Sequence, residues 1–172
     1  PPRQKLFAVT PAPRWRHDIS STLSSSVDAG PTFVFSPDPS TKTQVSVSGR
    51  GSLNYFWSPA TIELSYQHSF EPNTITGQVL RSHIGTLRGT TPISTENHIV
   101  GTASVGYLHG TFVNLRTDAV PRDDFDTFVG DIEIGWLPYD WLQPFLRYQF
   151  LTQDGGASAI DDPSFVRHAV LL

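Results

Sequence analysis

An all-β antiparallel up-and-down meander is the fold class this 172-residue chain predicts, and three observations predict it. Apolar and polar residues alternate with period two through most of the chain, as on strands, where successive side chains point to opposite faces. Turn-forming residues interrupt the alternation, and most links are short enough for antiparallel hairpins. No segment has the length and periodicity of a crossover helix, and no run of about 18 apolar residues exists for a helical membrane span.

Residues 1–13 (PPRQKLFAVTPAP) are proline-rich and aperiodic, and read as an extended lead-in before a β domain spanning 14–172. Breakers then divide the chain into about eight strands, near 14–35, 41–57, 60–70, 74–87, 98–113, 125–136, 141–152 and 164–172. In the first, Ile19, Leu23 and Val27 are spaced by four, which suits a helix face or alternate outward strand positions. The serine-dense SSTLSSS favours strand, because serine lowers helix propensity. In the second, Val45, Val47, Leu53, Tyr55 and Trp57 share one face, opposite Arg50 and Asn54. The third, TIELSYQHSF, is the cleanest: Ile62, Leu64, Tyr66, His68 and Phe70 oppose Glu63, Ser65, Gln67 and Ser69. In the fourth the parity shifts near Val79-Leu80, as a β-bulge would make it. Ile99, Ala103, Val105 and Tyr107 alternate with Thr102 and Ser104 in the fifth. Ile132, Ile134 and Trp136 oppose Asp131 and Glu133 in the sixth; Leu146, Tyr148 and Phe150 oppose Arg147 and Gln149 in the seventh.

Composition narrows the class. Apolar residues make up 38% and charged residues 16%, below the usual roughly 45–50% and 25%. Small uncharged polar residues fill the difference, while 12% aromatics argue against disorder. A net charge of −4 without clustered basic residues excludes a nucleic-acid footprint. There is no cysteine, so disulfides, zinc thiolates and thiol nucleophiles are ruled out. There is no methionine either, which marks a mature product or a piece of a longer protein.

Three features favour a membrane barrel over a soluble one. Several strands reach the roughly 9–11 residues that a membrane crossing needs. The polar face carries mostly Ser, Thr, Gln and Gly rather than the Lys and Glu of a water-facing sheet. Aromatics stand beside turns: Tyr55 and Trp57 before Ser58-Pro59, with Trp136, Tyr139 and Trp141 around Leu137-Pro138, as an interfacial girdle requires. The links Ser58-Pro59, 89–97 and 137–140 share one end; the longer acidic links 114–124 and 153–163 share the other. In these patterns (TIELSYQHSF, FVGDIEIGW, PFLRYQF, and the turns WSP and GWLPYDW) the chain resembles Gram-negative outer-membrane β-barrel proteins in general. The resemblance implies a transmembrane barrel of about eight strands, or a segment of a larger one. It further implies outer-membrane lipid or lipopolysaccharide around it, and protein partners in a membrane assembly. The chain stops at Leu171-Leu172 without the terminal aromatic of such barrels, which leaves strand number and pore size open.

No residue pattern predicts catalysis, a metal or a cofactor. The six histidines show no HxH or HxxxH spacing. His68, Ser69 and Glu71 are neighbours, but adjacent strand residues point apart, and no GxSxG elbow occurs. Asp131 and Glu133 share a face; with Arg50, Glu63 and Arg147 they form an expected lumen network, since buried charges must pair. Arg122, Asp123 and Asp124, with Asp118 and Asp126, read as a solvated acidic loop without EF-hand spacing. The leading expectation is a structural, assembly or passive-transport barrel of the bacterial outer membrane. Its rivals are a soluble barrel with the apolar face turned inward on a small apolar ligand, and an outer-membrane lipid-modifying enzyme.

Overall fold

The computed structural model describes residues 7–35, 43–73, 78–96, 98–114, 124–136, 138–139, 142, 144–155 and 165–171. Ten strands form one antiparallel sheet: β1 (Phe7–Val9), β2 (Arg14–Asp18), β3 (Leu23–Phe35), β4 (Gln44–Trp57), β5 (Ala60–Asn73), β6 (Gln78–Ser94), β7 (Ile99–Asn114), β8 (Asp124–Trp136), β9 (Phe145–Gly155) and β10 (Phe165–Leu171). The meander is therefore as the alternation predicts. The expected closure is absent: the sheet runs from β1 to β10 and stays open.

The strand directions explain the open seam. β1 and β2 lie end to end along the same edge of β3, in one continuous register (Phe7↔Phe35, Asp18↔Ser24), so the sheet is nine positions wide. Directions alternate across it, so the first and ninth positions run the same way. Joining them would need a parallel seam in an otherwise antiparallel wall.

Several strand boundaries depart from expectation, β5 running to Asn73 and β9 to Gly155, and four departures bear on the topology. Phe7–Val9, inside the stretch read as a lead-in, is extended but paired with β3. The segment 14–35 is two strands, because Ser20 Oγ accepts from Leu23 N–H (3.1 Å) and closes a turn that no Gly or Pro announces. The expected link 89–97 is mostly strand: β6 runs to Ser94, and the register shifts only between Pro92 and Ser94. No bulge sits near Val79-Leu80, where β6 pairs without interruption to both neighbours. The pattern breaks parity there because Leu80 and Ile84 place apolar side chains on the polar face, opposite Phe112 and Leu108.

The prolines between β1 and β2 press close to β3 at Gly30, where a Cβ would lie 1.9 Å from the Pro11 carbonyl oxygen. Gly30→Ala is expected to loosen this edge by about 1–3 kcal/mol, the usual range for overpacking. Native-state amide exchange at Arg14–Asp18 checks it: faster exchange there is expected, and unchanged exchange refutes it.

There is almost no interior. Among the described residues only Val34, Phe70 and Val79 are buried apolar side chains. The accessible surface is 11831 Å², against roughly 8,400 Å² for a compact protein of this mass. A single-layer sheet buries neither face against another element, so the side chains on both faces decide what surrounds it.

Candidate functional site: two unlike faces and a polar rim

Register assigns every strand residue to one of two faces. The apolar face carries Val47, Leu53, Leu64, Leu87, Val105 and Ile132, among others, and these side chains stand exposed. Ile132 is 58% and Val47 62% exposed, far beyond what water tolerates across a continuous surface. At the end nearest Ser58-Pro59 this face finishes in Tyr55, Trp57 and Trp136, all exposed; Tyr139, bridged to Leu142, stands exposed beside them. Trp141 lies outside the described residues. Between β6 and β9 the face dips into an open apolar trough of about 570 Å³, floored by Gly89, Ala103 and Gly130.

The other face is polar. Its described strands carry six arginines: Arg14, Arg16, Arg50, Arg88, Arg147 and Arg167. Against them stand six carboxylates: Asp18, Asp28, Glu63, Glu71, Asp131 and Glu133. The anticipated network is grouped here as ion pairs: Arg50 with Glu63 at 3.7 Å, and Arg147 with Asp131 at 3.3 Å. Glu133 stands opposite Arg147 in the register. Ser104 donates a short hydrogen bond to Asp131. Hydroxyls form cross-strand pairs: Thr10–Thr32 (2.8 Å), Thr32 to Ser48 (2.6 Å), Ser26–Ser52 (2.9 Å) and Ser69–Ser82 (2.6 Å). Thr32 and Ser82 are nearly fully buried, and these bonds satisfy them.

A third feature escaped sequence reasoning. At the end of the apolar face away from the tryptophans, His68, His83, His109, Asp126 and Asp154 occupy one row across β5–β9. The His68 and His83 rings stack at 4.3 Å. The Tyr66 hydroxyl and His83 Nδ1 are hydrogen-bonded at 2.6 Å. Asp126 Oδ1 accepts from Tyr107 Oη (2.7 Å) and from His109 Nδ1 (2.8 Å). Asp124 and Asp126 are thus strand residues, while Asp118, Arg122 and Asp123 lie outside the described residues. His68 and Ser69 face opposite ways: His68 contacts the Ser82 carbonyl, Ser69 the Ser82 hydroxyl. No spacing motif marks the row, because its members meet across strands; the available signal was that each pair is equidistant from its own turn. Among the described residues no group of three or more His, Cys, Asp or Glu could hold a metal ion.

Asp126→Ala removes two hydrogen bonds at an exposed site and is expected to cost about 1–2 kcal/mol in all. Chemical denaturation measures it, and a cost well above about 2 kcal/mol would contradict the exposed position of His109 and Asp126.

No family model, curated protein or solved structure matches the chain.

Proposed function

We propose that the chain forms a wall of an outer-membrane β-barrel, with the apolar face toward lipid and the polar face toward an aqueous lumen that passes solutes passively. One observation carries the reading: every charged residue in the described strands lies either on the polar face or at the polar rim of the other. Between the tryptophans and the histidine row the described apolar face carries no Asp, Glu, Lys or Arg, and its titratable groups there are His17 and His168 beside tyrosines.

The dimensions support it. Phe128 to Trp136 spans about 26 Å of strand at 3.3 Å per residue, and a tilt of about 40° makes that about 20 Å of height. An outer-membrane barrel presents an apolar band about 25 Å tall, closed by aromatic girdles. The apolar limit also steps across the sheet: on β4 it lies at Val45, four residues past Gly49, which opposes His68. A tilted strand shifts a level boundary by about one residue per strand, which gives this displacement over the four steps from β8.

Strand parity favours a segment of a larger barrel over a self-closed one. Nine positions end on like directions, and an odd number of added strands makes every seam antiparallel. A larger circumference leaves a channel where about eight strands leave only a packed core. The β10 edge, FVRHAVL, has no proline or lysine to discourage strand addition.

Membrane fractionation with detergent extraction of the full-length protein tests the placement. Recovery in the envelope, released by detergent but not by high salt or alkali, is expected. Recovery in the aqueous phase would return the protein to the soluble-barrel reading, in which the same apolar face encloses a small ligand.

One observation favours a second reading, a lipid-modifying enzyme. His109 is oriented by Asp126 at the lipid-facing rim, as a general base must be. No serine or threonine is hydrogen-bonded to it among the described residues. His109→Ala is expected to leave the cell's lipid A and phospholipid profile unchanged; an altered profile would establish the enzyme.

A further inference from the structure

We propose that the lumen admits uncharged, hydrogen-bonding solutes such as small sugars, without strong preference for cations or anions. This rests on the wall reading above and names its substrate class.

Pore selectivity follows the sign and spacing of charges on the lining, because rings of one sign raise the local concentration of counter-ions. Here the polar face holds six positive and six negative side chains among its described residues, and they are interleaved. Glu63 stands directly opposite Arg88 and 3.7 Å from Arg50. Asp131 lies 3.3 Å from Arg147, while Arg14 pairs with Asp28 at 3.6 Å. Each pair is shorter than the Debye length of about 8 Å at physiological salt, so its field cancels before reaching the middle of a wide pore. No strand histidine lies on this face: His17, His68, His83, His109 and His168 all project from the apolar side. The balance therefore holds across the physiological pH range in which histidines gain or lose charge.

Hydroxyls stand between the charges on β3–β7, while Leu80, Ile84, Leu108, Phe112, Phe125 and Leu151 place apolar side chains on the same face of β6–β9. Ser26–Ser52 and Thr90–Thr102 form half-buried cross-strand pairs. A hydroxyl both donates and accepts, and can exchange a partner for a passing solute hydroxyl without leaving a charge unpaired. Such a lining replaces part of a sugar's hydration at low cost and has no sign with which to sort ions.

The test uses the full-length protein in planar bilayers under a potassium chloride gradient, with liposome swelling in isosmotic arabinose as the second arm. The expected anion-to-cation permeability ratio is near one, within about two-fold, and arabinose enters. Removing two carboxylates (Glu63→Gln with Asp131→Asn) shifts the ratio toward anions several-fold, and removing two arginines (Arg50→Gln with Arg147→Gln) shifts it toward cations. A wild-type channel with strong preference for one sign overturns the inference while leaving the wall reading intact. A membrane-inserted protein that admits neither ions nor arabinose overturns the inference together with the proposed passive channel, and leaves only the lipid-facing placement. Absence from the membrane fraction defeats the wall reading itself. Wild-type measurements alone decide between these, so a variant that fails to fold does not blunt the test.

Discussion

Ile132→Arg is expected, on the proposed lipid-facing placement, to destabilise the folded protein by about 2–4 kcal/mol, the cost of a cation near a bilayer midplane. Ile132 is central on the apolar face: it pairs with Ala103 and Tyr148, midway between Phe128 and Trp136, and is 58% exposed. In hydrocarbon its guanidinium would have no carboxylate across either neighbouring strand on that face and a long path to either interface. His109→Arg, on the polar rim of the same face, should cost at most about 1 kcal/mol, because the penalty falls toward the interface. If water bathed this face, both substitutions would stay within about 0.5 kcal/mol, as surface changes usually do. Urea unfolding from lipid vesicles separates the outcomes by the difference between the two variants.

Asp131→Ala is expected to cost about 1–3 kcal/mol, because it leaves the half-buried Arg147, its side chain 34% exposed, without its counter-charge. The Asp131 side chain is 11% exposed, accepts from Ser104 and pairs with Arg147. Arg147 Nε is already buried without a partner, so its guanidinium relies on this carboxylate. The pair Arg16–Asp18, with side chains 74% and 73% exposed, is the control. Asp18→Ala should change stability by less than about 1 kcal/mol, because water screens such pairs. Equal losses in the two variants would show that Asp131 anchors nothing. Arg147→Met with Asp131→Leu should recover much of the stability, as replacing both members of a buried pair often does.

How much of this was legible in the sequence depended on the range of the interactions. Strand identity was legible, because a period of two is a local property of consecutive residues such as Thr61–Phe70. That Arg50, Glu63, Asp131, Glu133 and Arg147 share a face was legible from parity, but which of them pair, Arg50 with Glu63 and Arg147 with Asp131, is fixed only by the register between strands. Strand ends were less legible. Gly89-Thr-Thr-Pro92 has the composition of a loop, yet β5 and β7 supply partners for Gly89 and Thr90, and pairing overrides propensity. The break at Ser20 was hidden because a serine hydroxyl, not a glycine, caps the turn. The histidine row was not legible from spacing, since it exists only once the register across five strands is fixed. Closure was not legible either: it depends on strand parity, and one missed division, at Ser20, changed the count.

Strand β8 gives the most direct measurement, because the natural chain has no cysteine and single-cysteine variants carry one spin label each. Labels at Phe128, Ile132 and Ile134 sample the apolar face, and labels at Val129, Asp131 and Glu133 the polar one. In lipid vesicles the first set should collide with oxygen, which dissolves in acyl chains, and the second with a water-soluble nickel chelate, alternating residue by residue. Equal chelate access on both sides, or the reverse alternation, would contradict a lipid-facing apolar side.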